Sequence, residues 1–171
     1  MFRPSAIPKM MSMLGSVLRG VRLPDLEKIK SITRQSFPTV RQLSTHQLAE
    51  WMERSEPGLL LVDVRASEEF AVSQLHDAIN ATTAEGIAKV IQERKPATVV
   101  LYCSVGFRSS RLAEQLARQG INNVANLEGS IFQWANEGRP LYQGRTTVQQ
   151  VHPYGKRWAG LLRPGLARKC P

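Results

Sequence analysis

The stretch that decides the fold is Cys103-Ser104-Val105-Gly106-Phe107-Arg108-Ser109-Ser110, which directly follows the apolar run at residues 98–102. The apolar run predicts a buried strand that ends where the cysteine begins a short polar loop. The loop continues into a predicted helix, whose first N–H groups have no partner within the helix. These groups, the loop amides and the Arg108 guanidinium all favour an anion, so we expect a thiolate at Cys103.

A buried structural thiol is the alternative for Cys103, because a free cysteine often packs as a small hydrophobe. The polar side chains of the loop and its position before a helix favour the reactive thiol instead. Gly106 allows the backbone to take a positive φ or to approach the sulfur closely. The loop is therefore interpreted as a site of thiolate chemistry.

Strands and helices alternate on both sides of this loop. Apolar runs predict strands at residues 59–64, 98–102 and 123–127, with a brief strand at 78–79. Helical spacing or start signals predict helices that begin at Ser44 and Ser67 and helices over 83–94, 109–119 and 130–136. This alternation predicts an α/β fold, an open parallel sheet flanked by helices, with the reactive site beyond the carboxyl ends of the strands.

The charge divides the 171 residues, whose net charge is +9, into three parts. Basic residues predominate before residue 44 and after residue 138, whereas acidic residues predominate between them. We therefore predict a partly helical basic N-terminal extension at 1–43, a domain at 44–143 and a basic C-terminal tail at 144–171. Residues 24–38 are interpreted as linker or peripheral structure.

The first two dozen residues contain basic and apolar side chains at helical spacing and no acid. An organelle-targeting presequence, an interfacial membrane anchor and a helix packed on its own domain all remain open for this segment. No apolar run is long enough to span a membrane. Because Cys103 and Cys170 are the only cysteines, a disulfide framework is excluded and we expect a reducing compartment, the cytoplasm.

Over residues 44–141 several ordered motifs resemble those of single-domain rhodaneses, a family of sulfurtransferases. Residues 103–109 fit the family pattern Cys-x-x-Gly-x-Arg-Ser/Ala, and residues 61–65 fit its Asp-x-Arg strand end. Residues 68–70 and 127–141 resemble the Glu-x-Glu/Phe and Gly…Trp…Gly-x-Pro-Leu segments. Two departures lie outside the loop: His76 stands at the usual proline, with Gln74 at the usual histidine, and Ser130 replaces the second glycine of a common pair.

The resemblance implies a rhodanese fold and a sulfurtransferase that works without a cofactor. Cys103 would attack a small anionic donor such as thiosulfate and become a persulfide, and a thiol or cyanide would then accept the sulfur. The loop of Ser104, Val105, Gly106, Phe107 and Arg108 would bind the anion, supported by Ser109, Asp63 and Arg65. The last two are expected to form an ion pair that braces the loop, rather than to act on the substrate.

Arg108 could hold the loop, attract the anionic donor, or do both. The loop has six residues from Cys103 to Arg108, one fewer than in the related tyrosine phosphatases, which makes phosphatase activity the weaker interpretation. His46 and His152 stand alone in the sequence, so no metal site is predicted.

Two further interpretations compete with that of a sulfurtransferase enzyme. A persulfide carrier or redox-sensing module would pass sulfur only to a partner protein. A basic-armed targeting protein would act where its arms bind, including at a membrane surface contacted by the N-terminal helix. The aromatic and basic segment 151–162 could stack on a nucleic acid, but packing on the domain is favoured and nucleic acid is not an expected partner.

Overall fold

The computed structural model describes residues 25–168. The helix predicted within residues 1–24 and the side chain of Cys170 lie outside this range. The fold is the predicted mixed α/β arrangement, a five-stranded parallel sheet flanked by helices. The strands of the sheet are β1 (Arg41–Leu43), β2 (Leu59–Asp63), β3 (Ile79–Asn80), β4 (Thr98–Tyr102) and β5 (Val124–Leu127).

The sheet has the strand order β1-β5-β4-β2-β3, which places β4 at its centre. Within residues 25–168 six α-helices connect or flank the strands, and their bounds are α1 (Leu26–Ser36), α2 (Thr45–Glu53), α3 (Ser67–Val72), α4 (Ala84–Arg94), α5 (Phe107–Arg118) and α6 (Ser130–Asn136). Ser44 and Gln47 form the predicted capping box at the start of α2. Helix α5 begins two residues earlier than predicted, because Gly106 takes the N-cap position.

Alternate side chains of β4 enter two different cores, one on each face of the sheet. Val100 and Tyr102 belong to the core that includes Leu127 and Trp134. On the opposite face, Cys103 belongs with side chains of β2, α4 and α5, among them Val62, Ile87 and Leu116. The sheet thereby places the cysteine at the end of one buried face of its central strand.

The N-terminal part of the sheet begins before the boundary predicted at residue 44. Strand β1 pairs with β5. Leu26 and Ile29 of α1 are buried in the core that contains Val100 and Tyr102, which is called the main core below. Residues 25–43 are therefore part of the domain and not a linker. The three-residue spacing of Leu26 and Ile29 explains this packing, since it places both side chains on one face of the helix.

The C-terminal segment also packs on the domain. Strands β6 (Leu141–Gln143) and β7 (Thr146–Val148) form an antiparallel hairpin across the predicted boundary at 143/144. Val151 and Leu162 are buried in the main core, and a short 3-10 helix spans Trp158–Leu161. None of the helices within residues 25–168 has the length and apolarity required to span a membrane.

Candidate active site

Cys103 follows the last residue of β4 and lies at the carboxyl end of the central strand. Only 1% of its surface is exposed. Neighbouring loop residues Ser104 and Val105 are buried as well, and Val105 contributes to the main core. The sulfur is thus buried, and the groups that contact it determine its chemistry.

The backbone of the loop is fixed from the side of α6. The carbonyl oxygens of Cys103 and Ser104 accept hydrogen bonds from the N–H groups of Ile131 and Phe132, at 3.2 and 3.1 Å. Gly106 has φ +102°, and a Cβ placed there would lie 3.3 Å from Asn126 Nδ2. The peptide of Gly106 then points its N–H at Cys103 Sγ, 3.2 Å away. A glycine is required at this position by both the dihedral angle and the close approach.

The hydroxyl and the backbone N–H of Ser109, at the start of α5, also face the sulfur. Ser109 Oγ lies 3.5 Å from Sγ. Burial raises the pKa of the Cys103 thiol, but the charge of Arg108 and the hydrogen bonds from Ser109 and Gly106 outweigh that effect. The pKa of Cys103 therefore lies below its usual value, as expected for a nucleophilic thiolate.

Ser109 has two acceptors for its single hydroxyl hydrogen. Its Oγ is 2.6 Å from Asn126 Oδ1, closer than it is to the sulfur. Asn126 in turn donates from Nδ2 to Gln42 Oε1 at 2.6 Å, which fixes the orientation of the amide. The fixed Gly106 amide and the Arg108 charge are consequently the steadier stabilisers of the thiolate, with Ser109 as a shared donor.

Arg108 is held by a nearly buried carboxylate, that of Glu69 on α3. Its Nη1 and Nη2 donate to Glu69 Oε2 and Oε1 at 3.0 and 2.9 Å, and Nη2 also donates to Ser104 Oγ at 3.0 Å. Burial raises the pKa of Glu69, but hydrogen bonding to Arg108 and its charge lower it below the usual value overall. Both terminal nitrogens of Arg108 are engaged, so the geometry favours the loop-holding role over direct capture of a donor.

Asp63 and Arg65 form the predicted buried ion pair, but its further contacts lie on another segment. Arg65 Nη2 is 2.6 Å from Asp63 Oδ2 and also donates to the carbonyl oxygen of Ser73 at 2.6 Å. The Arg65 guanidinium lies 6.0 Å from the centre of the Tyr102 ring. The pair therefore ties the segment after α3 to the end of β4, and the charge of Arg65 also acts on Glu69, the carboxylate that holds Arg108.

Ser130 is a functional candidate that the sequence flagged only as a departure from a glycine pair. It has φ +50°, a left-handed conformation that is uncommon outside glycine. Its hydroxyl donates to the carbonyl oxygen of Leu127 at 2.9 Å and accepts from the Cys103 N–H at 3.1 Å. The serine thus fixes the backbone of the cysteine, a contact that a glycine could not make.

Segments on either side of the central domain meet the loop at adjacent residues. Phe37, at the end of α1, packs edge-to-face on Phe107 with ring centroids 5.0 Å apart. The ring of Tyr154, from the C-terminal segment, lies 4.7 Å from the Arg108 guanidinium carbon. Both contacts were missed in the sequence because neither segment carries a motif that links it to the loop.

Two of the histidines noted in the sequence contact other parts of the domain. His76 packs on the ring of Tyr142 and faces Asp77, and His46 lies beside Glu50 on α2. Within residues 25–168 no three or more side chains of the metal-binding types are grouped together.

Residues 44–137 match the family model of the rhodanese-like domain. The chain belongs to the rhodanese-like domain family. A protein of Allochromatium vinosum named sulfurtransferase is 31% identical over 102 residues, which cover 60% of this chain and 94% of that relative. A tRNA uridine(34) hydroxylase of Photorhabdus laumondii is 26% identical over 107 residues, but only 30% of that relative is covered.

Solved structures show the same rhodanese fold. The thiosulfate sulfurtransferase of Pseudomonas aeruginosa superposes with a TM-score of 0.59 and 19% identity. The match covers 71% of this chain but only 23% of that longer one. Rhodanese-like domains therefore occur both as nearly whole proteins and as parts of larger ones, and the fold alone does not define the substrate.

Proposed function

We propose that the protein is a sulfurtransferase that carries sulfane sulfur as a persulfide on Cys103. One observation carries this proposal: Cys103 Sγ accepts the Gly106 N–H at 3.2 Å beside Ser109 and the charge of Arg108. Membership of the rhodanese-like domain family and the relative named sulfurtransferase support it. Fixed donors around one buried sulfur suit an anion of the size of a single additional sulfur atom.

In the first half-reaction the Cys103 thiolate attacks the outer sulfur of thiosulfate. The sulfur–sulfur bond of the donor breaks, and sulfite leaves with its electron pair. The product is a cysteine persulfide whose terminal sulfur carries the negative charge. The Gly106 amide and the hydroxyl and backbone N–H of Ser109 face the Cys103 sulfur, so we expect them to stabilise the intermediate as well as the starting thiolate.

In the second half-reaction an acceptor attacks the terminal sulfur. With cyanide, the carbon–sulfur bond forms, the persulfide bond breaks, and thiocyanate and the Cys103 thiolate are released. A lowered thiol pKa aids this step too, because a thiolate of low pKa is the better leaving group. A small thiol or a protein thiol would take the place of cyanide outside the assay.

The test measures thiocyanate formation from thiosulfate and cyanide, with the mass of the protein after donor alone. We expect turnover and a gain of about 32 Da, the mass of one sulfur atom, on Cys103. Both should be lost in Cys103→Ser and retained in the matched control Cys170→Ser. Absence of both products in the wild type, with thiosulfate and with mercaptopyruvate as donors, would refute the proposal.

The persulfide carrier is the second candidate, and the near-complete burial of Cys103 favours it. A carrier that releases its sulfur only when a partner protein opens the site would gain the sulfur mass but show no turnover with cyanide. The same pair of measurements therefore separates a carrier from an enzyme.

A further inference from the structure

Tyr154 is the feature near the site that the rhodanese family match leaves without a role. It lies beyond residue 137, where that match ends. With 45% of its surface exposed, Tyr154 is the only large hydrophobic residue that is exposed within residues 25–168. Packing in the core therefore does not account for the position of this ring.

The backbone around Tyr154 is firmly held. Val151 is fully buried and forms a bridge to Ala167, so both ends of this segment are joined. Asn136, at the end of α6, donates to the carbonyl oxygen of Leu161 and accepts from the N–H of Arg163, both at 2.8 Å. The segment is thus anchored to the helix whose N-terminus fixes the cysteine loop.

The local conformation then presents the tyrosine ring to the loop. Tyr154 has φ +64°, and its N–H donates to His152 Nδ1 at 3.1 Å. The ring of Trp158 meets it edge-to-face, with centroids 5.9 Å apart. A non-glycine residue in the left-handed region is strained, and such strain persists only where the surrounding structure imposes it.

The Tyr154 ring also contacts the Arg108 guanidinium. The terminal nitrogens of the guanidinium donate to Glu69 and Ser104. Its carbon atom lies over the tyrosine ring, 4.7 Å from the ring centre. The ring therefore covers part of the cation and shields it there from water. Shielding strengthens the action of a charge on its neighbours, because water no longer screens it there.

We propose that Tyr154 is a positioning residue that holds the Arg108 guanidinium in place and shields it, so that its charge acts fully on the Cys103 sulfur. The residue deepens the proposed function, on which its part in sulfur transfer rests. It acts through Arg108 and does not touch the sulfur. The C-terminal segment thereby contributes to the reactivity of a cysteine that lies in the family domain.

The experiment compares Tyr154→Leu with Tyr154→Phe, both in a Cys170→Ser background so that Cys103 is the only thiol. The rate of alkylation by iodoacetamide, a neutral reagent, is measured against pH. The charged groups that bear on this titration are Arg108 and, across its hydrogen bonds, Glu69. Tyr142→Leu is the matched control, since it removes an aromatic ring that packs on His76 instead.

We expect the midpoint of the alkylation profile to rise by about half a pH unit in Tyr154→Leu, the size of an exposed cation–π contact. Tyr154→Phe should keep the wild-type midpoint because it retains the ring, and so should Tyr142→Leu. Thermal unfolding checks that each variant is folded, and Tyr154→Gln is measured as a second ring-free variant.

Two results would overturn the proposal. An unchanged midpoint in both ring-free variants would show that Arg108 needs no support from the ring. A rate that increases at every pH without a shift of the midpoint would show that the ring merely blocks access. Alkylation requires no sulfur transfer, so a shifted midpoint in a protein that forms neither thiocyanate nor the persulfide would refute the proposed function and leave this inference standing.

Discussion

The ion pair between Glu69 and Arg108 should be a main support of both the fold and the cysteine loop. The Glu69 side chain is 4% exposed and that of Arg108 21%, and two charge-assisted hydrogen bonds join them. Removing one partner of a fully buried pair costs about 3–5 kcal/mol. Because Arg108 is partly in contact with water, we expect Glu69→Gln to lower the free energy of unfolding by about 2–3 kcal/mol.

A double-mutant cycle isolates the interaction itself. Glu69→Gln, Arg108→Met and the double variant are unfolded in urea, and the coupling energy is taken from the four free energies. We expect a coupling of about 2 kcal/mol, with the melting temperature of Glu69→Gln lowered by about 5–10 °C. A coupling below about 0.5 kcal/mol, the range of exposed pairs, would refute the reasoning that this is a buried structural contact.

The same pair gives the stability a defined dependence on pH. The pKa of Glu69 is lowered in the folded protein, so its stabilising contribution is complete above the unfolded value of about 4.3. That contribution is lost as the pH falls through the folded pKa. Glu69→Gln should therefore lose less stability than the wild type over this acidic window. Glu137→Gln is a comparison, since the pKa of Glu137 is also lowered, through contacts that include Arg139, and it should show the same kind of effect.

Substitutions at three positions around the sulfur test the other contacts. Gly106→Ala should destabilise the protein by about 1–3 kcal/mol, as measured by urea unfolding, and reduce thiocyanate formation at least tenfold, because a side chain at φ +102° is strained and crowds Asn126. Ser109→Ala should raise the alkylation midpoint of Cys103, and an unchanged midpoint would mean that the hydroxyl serves Asn126 alone. Ser130→Gly and Ser130→Ala both lose the hydrogen bond to the Cys103 N–H, but only glycine relieves the strain of the left-handed backbone. Ser130→Ala should therefore be the less stable of the two variants in thermal unfolding.

The strands, the helices and the place of the cysteine could be predicted because each depends on local patterns. Apolar runs and the capping box at Ser44 act within a few residues, and the parallel alternation leaves one edge for the site. The extensions were harder to interpret. Strand β1 has only three residues, Arg41–Leu43, and its pairing with β5 depends on contacts far apart in sequence.

The site shows the same division between local and distant information. The loop motif predicts Cys103, Gly106 and Arg108, but it does not state what Arg108 binds. Its carboxylate partner, Glu69, lies 39 positions earlier, and Tyr154 lies beyond the family domain. Partners of this kind are selected by tertiary packing, which leaves no fixed spacing in the sequence.

The arrangement also explains how the pKa of a buried cysteine can lie below its usual value. Burial by itself raises the pKa of a thiol, so the apolar core around Cys103 opposes the charge that its chemistry requires. The opposition is overcome by donors that folding has already oriented: the Gly106 amide is fixed because the loop carbonyls are bonded to α6, and Arg108 is fixed by Glu69. On the proposed persulfide route these donors are in place before the reaction begins, and the low-dielectric surroundings strengthen their contacts with the sulfur.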